Sequence, residues 1–164
     1  MFREDYLRRM IEQATAVVVA VLGLVKLERY PEALTEVDRA LQRLVGLNLS
    51  LVAALPAAEL VALTRWGERL DVGKLAVLAE LLQAEGDITT AQGQVAEGRA
   101  CYLKALEILL EVAFDAEQHL TAVQPRVAAL LERLAAADLP PDLAEWLAHY
   151  QATVAALPVE PSGK

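Results

Sequence analysis

Disulfides are the first thing this chain lacks. Its 164 residues include a single cysteine, Cys101, so no internal bridge can form and a reducing compartment is the expected setting. Cations are also scarce: 15 Lys and Arg stand against 23 Asp and Glu, a net charge of −8. Nucleic-acid phosphates need a basic footprint and anionic membranes repel an acidic surface, so neither is an expected partner. No apolar run is long enough for a bilayer, since the most apolar, Ala14 to Val25, falls well short of the roughly 20 residues a spanning helix needs. Acidic Glu4 and Asp5 stand where a secretory signal carries its basic segment, and the expectation is a cytoplasmic protein. No Gly/Ser-rich linker divides the chain, which points to a single domain over residues 1–157 and a disordered tail over 158–164.

What is abundant is small and branched aliphatic surface. Hydrophobic residues make up 55% of the chain but aromatics only 5%, a balance that suits closely packed helices. Mean hydropathy is +0.33, so either much alanine is exposed or an apolar face is covered by a partner.

Steps of three and four between apolar residues run through nearly every segment, the signature of helices with one inward face. The stretch Asp71 to Phe114 reads as two long helices folded back on each other at Gly93, with Asp71 as N-cap and Gly93 supplying the left-handed turn. Gly86 and Gly98 fall in the two helix interiors, where glycine costs about 1 kcal/mol against alanine; both are read as points of close helix approach. A first helix over Arg3–Leu27 carries Leu7, Ile11, Ala14, Val18, Val21 and Val25 on one face, and Met10, Val17 and Leu24 on a second. With Val19 and Leu22 its middle is apolar nearly all round, which marks either a central core helix or a self-association surface. Glu4–Arg8 and Asp5–Arg9 have the spacing of ion pairs on this helix. Pro31 opens a second helix that Gly46 ends, Ser50 caps a brief turn through Leu55, and Pro56 opens a helix reaching Gly67. Trp66 beside that glycine is read as a packing plug, with a binding anchor as the alternative. Two further helices follow Pro125 and Pro141.

The span Leu82 to Leu106 resembles one tetratricopeptide repeat. Gly86 takes its small position in the first helix, Gly93 its turn, Gly98 the small position of the second helix and Tyr102 its aromatic. Lys104, Ala105 and Leu106 match the closing Lys-Ala-Leu. A weaker copy runs from Tyr30 through Ala33, Val37 and Ala40 to Leu41. The chain as a whole, opening Met-Phe-Arg-Glu-Asp-Tyr-Leu, is similar to a family of bacterial TPR-like proteins without an established activity. The first-helix Trp and closing Pro of the repeat are absent, and Ala40 and Ala105 lie 65 residues apart, so no period of about 34 residues is visible. The resemblance implies an all-α fold of antiparallel hairpins, packed as a compact TPR-like right-handed superhelix or bundle, and protein binding as its use.

Chemistry-bearing residues are few. His119 and His149 each follow a carboxylate by four residues, Asp115 and Glu145, the spacing of an exposed ion pair. A metal- or cofactor-binding bundle on these two histidines is an alternative, but the Glu-x-x-His motifs of di-iron bundles are missing. Cys101 on a packed helix reads as a small buried hydrophobe. Glu80, Gln83, Asp87 and Thr90 form the outward polar row of the first hairpin helix, read as a solvated face and not as a basic clamp for acidic peptide ends. The sequence therefore points to a non-enzymatic protein-interaction or scaffold module with no cofactor and no metal. It is expected to be a homodimer, with Val17, Val18, Leu24 and Trp66 as interface candidates; a purely structural homo-oligomer built through the first helix is the alternative.

Overall fold

The computed structural model describes residues 2–158, with side chains from Asp5 onward; the tail expected at 158–164 lies outside it except for Pro158. Nine α-helices make up these described residues: α1 (Phe2–Lys26), α2 (Tyr30–Leu44), α3 (Leu49–Ala54), α4 (Ala57–Leu63), α5 (Val72–Ala91), α6 (Val95–Ala113), α7 (Glu117–Ala122), α8 (Gln124–Arg133) and α9 (Pro141–Ala155), with a 3₁₀ turn at Ala136–Asp138. Among them the only β pairing is an isolated bridge between Trp66 and Arg69. The fold is all-α.

Local chemistry sets most boundaries. The Asp71 carboxylate accepts from the Lys74 N–H at 3.0 Å and caps α5, satisfying one of the donors a helix start leaves open. Proline stands in the first turn of α2, α8 and α9, where its missing N–H costs nothing. Gly93 turns α5 into α6 with φ +86, a conformation closed to most side chains. Three boundaries differ from expectation. Asn48, not Ser50, caps α3, its side-chain oxygen accepting from Leu51 N at 2.8 Å. The helix after Pro56 stops at Leu63 instead of Gly67, because Trp66 and Arg69 exchange backbone hydrogen bonds around a turn at Gly67 and Glu68. On α1, Arg8 lies 3.9 Å from both Asp5 and Glu12; the expected Asp5–Arg9 pair does not form, and that of Glu4 lies outside the described side chains.

The α5–α6 hairpin is the centre. α1 and α2 pack on α5 from one side, while α4, α7, α8 and α9 pack on α6. α5 is enclosed: Leu75, Val77, Leu78, Leu81 and Ile88 point in different directions and all are fully buried. The helix that is apolar all round and surrounded is thus α5, and the reading of α1 as a central core helix is corrected. Packed chiefly on α2 and α5, α1 buries one stripe, Met10, Ala14 and Val21, and leaves Val19 and Leu22 exposed, with Leu27 exposed in the turn just beyond it.

Gly86 and Gly98 face each other across the hairpin. A Cβ added at Gly86 would stand 2.5 Å from the Tyr102 ring and 3.0 Å from the Gly98 carbonyl oxygen. One added at Gly98 would collide with the Thr90 side chain and lie 2.9 Å from the Gly86 carbonyl. Backbone cannot step aside as a flexible side chain can, so Gly98→Ala is expected to lower stability by about 1–3 kcal/mol despite alanine's better helix propensity. Chemical denaturation measures this; an unchanged midpoint would show that the two helices can part without cost.

Candidate functional site

The polar row of α5 is half-covered at Glu80, Gln83 and Asp87 and exposed only at Thr90, so the solvated-face reading is corrected for Glu80 and Asp87. Asp87 accepts from the Tyr102 hydroxyl at 2.5 Å and from Arg133 of α8 at 2.7 Å (Nε) and 3.0 Å (Nη2). Arg133 also donates to the Ala129 carbonyl at 2.8 Å, holding its guanidinium in register on its own helix. This forked pairing is the strong form of ion pair. Burial and the hydrogen bond to Asp87 push the Tyr102 phenol up to about 12. Two turns earlier, Glu80 faces Arg126 of α8 at 3.7 Å, beyond hydrogen-bond distance. The two line a cleft of about 320 Å³ between α5, α6 and α8, together with Gln83, Leu109 and Leu130. Glu80 Oε2 and Arg126 Nε are buried there without a hydrogen-bond partner.

Cys101 and Glu85 form a second half-buried pair, on facing turns of the hairpin. Burial, and then the negative charge of Glu85, push the thiol up to about 12. A thiol so placed is a poor nucleophile at neutral pH. Burial raises the Glu85 carboxyl too, against the pull of Lys104. Lys104 donates to the carbonyls of Val52 at 2.8 Å and Ala53 at 3.2 Å, satisfying the end of α3 and tying it to α6.

The histidines part company. His119 keeps Asp115 at 3.8 Å, too long for a hydrogen bond. His149 stacks on Phe114, ring centroids 5.2 Å apart and 5° from parallel, instead of pairing with Glu145. Trp146 and Tyr150 complete that aromatic cluster on Phe114 and seat α9 on the end of α6. Among the described residues no three His, Cys, Asp or Glu side chains converge as a metal site would require, and no helix is long and apolar enough to cross a membrane.

Of the hairpin residues singled out in the sequence, Gly86, Gly98, Tyr102 and Ala105 are gathered in the α5–α6 seam and buried, while Gly93 forms the turn. The interface candidates separate. Val17, Val18 and Leu24 are half-buried and packed against the monomer core. Trp66 is 77% exposed, so the packing-plug reading is corrected: the turn at Gly67 aims the indole outward and no helix passes over it. The exposed apolar residues of α1 are instead Val19, at 64%, and Leu22, at 46%. A sequence signal for this existed. The row Arg8, Glu12, Thr15, Val19, Leu22, Lys26 follows helical spacing and is polar at both ends, so its apolar middle belongs to the solvent side. Comparison with known protein families, curated proteins and solved structures finds no match.

Two consequences can be measured. Cys101 should react with a thiol reagent at pH 8 at least about a hundredfold more slowly in the folded protein than after unfolding, because so little thiolate is present; equal rates would contradict the burial. Glu80, Glu85 and Glu107 all hold their protons more tightly than free glutamate, chiefly through burial. Their contribution to stability is complete below the ordinary value of 4.5 and is lost as pH rises through their raised values. Glu85→Gln is expected to flatten the fall of Tm with pH just above that value. An unaltered slope would remove Glu85 from the account.

Proposed function

We propose that the chain is a non-enzymatic protein-interaction module of TPR-like organisation, and that its first partner is a second copy of itself, joined through α1. The single observation behind the dimer is the exposed apolar middle of α1, where Val19 and Leu22 face solvent, continued by exposed Leu27 in the turn that follows. The TPR-like reading draws support from the neighbour relations: α1 on α2, both on α5, and α5 on α6, the order in which stacked hairpins lie. A helix face used twice about a two-fold axis gives a closed, isologous contact. Such an interface has to bury at least roughly 1,000 Å² to be specific, and net charge keeps the resulting dimers apart. The scaffold role rests on Trp66, an exposed residue of the type that anchors protein partners. The setting proposed is the cytoplasm, with no cofactor.

Light scattering at tens of micromolar protein is expected to give the mass of a dimer. Leu22→Glu should yield a monomer with unchanged helicity, since the side chain is open to solvent in the protomer, and lower Tm only by the stability that association adds. Val17→Glu, which strikes the packed side of α1, should instead lower stability. A wild-type monomer at that concentration would refute the self-association.

A further inference from the structure

A second cleft opens at the other end of α1, where α1, the C-terminal end of α2 and the first turn of α5 meet. Its volume is about 480 Å³, within the range of roughly 300–1,000 Å³ typical of small-molecule sites. Each of the three helices contributes a cation to its wall: Arg9, Arg43 and Lys74. Among the described residues no carboxylate lines it. Six arginines outside the cleft, Arg8, Arg29, Arg39, Arg99, Arg126 and Arg133, each have a carboxylate oxygen within ion-pair distance, while Arg65 and Arg69 on the exposed turn after α4 form no ion pair among the described residues. None of the three cleft cations has one among the described residues. The carboxylate on Lys74's own turn, Asp71, accepts from the Lys74 N–H in capping α5; burial, and then the charge of Asp71, raise the pKa of the Tyr6 hydroxyl at the edge of the cleft.

Three like charges around one concavity repel one another, and the low-dielectric walls of a cleft strengthen the field they sum to. None of the described carboxylates forms an ion pair with any of the three. Neutral donors stand beside the cations, the Tyr6 hydroxyl and the Gln13 amide; the Gln42 amide already donates to Asp38 at 2.9 Å. The floor is apolar, with Met10 and Val45 buried beneath. Cations at the wall, donors between them and aliphatic surface below suit a ligand with an anionic head and a less polar body.

We propose that this cleft binds a soluble small molecule through a phosphate group, held by Arg9, Arg43 and Lys74. A phosphate monoester carries about −1.5 to −2 charge and three acceptor oxygens, which suits a wall with three cations better than a single carboxylate does. Two arginines supply forked donors of the geometry that phosphate accepts. The overall negative charge of the protein disfavours an anionic membrane as the source of the phosphate.

The test uses the full chain with inorganic phosphate and pyrophosphate as probes, against chloride at equal ionic strength, reading Tm and calorimetric binding. The expected result is a saturable rise in Tm with pyrophosphate that chloride does not reproduce. The triple variant Arg9→Gln, Arg43→Gln, Lys74→Gln should lose affinity by at least about tenfold for each cation that contacts the anion. A second triple variant with the same change of charge, Lys26→Gln, Arg29→Gln, Arg39→Gln, should bind as the wild type does. All six positions are exposed or half-exposed, and circular dichroism checks that both variants fold. The proposal is overturned by the absence of a saturable shift with either probe, by equal loss in both triple variants, or by citrate binding as tightly as pyrophosphate, which would assign the cleft to carboxylates.

Discussion

The close approach of α5 and α6 governs the rest of the structure. At Gly86 and Gly98 the two backbones come so near that each carbonyl occupies the space a Cβ would need on the other helix. Dispersion and burial reward such an approach only when nothing protrudes between the helices. The consequence runs outward from Gly86. Its missing side chain gives room for the Tyr102 ring, whose hydroxyl then reaches Asp87. Asp87 is thereby pre-positioned to receive the guanidinium of Arg133, and α8 is fixed over a face of α5 that would otherwise lie open. A glycine on one helix thus decides where a third helix sits.

Polar groups are used at the edges of this arrangement rather than within it. Lys104 closes the end of α3, Arg99 reaches Asp138 of the 3₁₀ turn at 3.3 Å, and Tyr150 donates to the Leu120 carbonyl at 2.7 Å, tying α9 to α7. These contacts link short helices that could not hold their own conformation as isolated peptides. The unsettled polarity lies at two clefts. In one, Glu80 and Arg126 face each other without a hydrogen bond; in the other, three cations share a wall.

The helices themselves were legible from local chemistry. Apolar spacing marked all the long helices, Asp71 marked the start of α5, and Gly93 marked a turn that needs positive φ. Gly86 and Gly98 could be read as approach points because glycine in a helix interior has a cost that only packing offsets. The short segments were less legible. Asn48 and Ser50 are both good caps, and the sequence did not distinguish them. The end of α4 was obscured because a backbone bridge between Trp66 and Arg69 depends on no side-chain pattern.

By itself the sequence determined an all-helical chain, the hairpin at its centre and the near absence of chemically reactive groups. These follow from interactions within a turn or two of the chain, where spacing and residue type suffice. Only tertiary structure decided which apolar helix is enclosed. α1 and α5 are both apolar round most of their circumference, but α5 has α1, α2 and α6 packed on it and α1 packs chiefly on two neighbours. Tertiary structure likewise turned Val17, Val18 and Leu24 inward, left Trp66 in solvent, laid α8 over Asp87, and brought Arg9, Arg43 and Lys74 to one cleft. Burial is a property of what lies across from a residue, and the partners across from these are set by how distant helices stack, which no local pattern encodes.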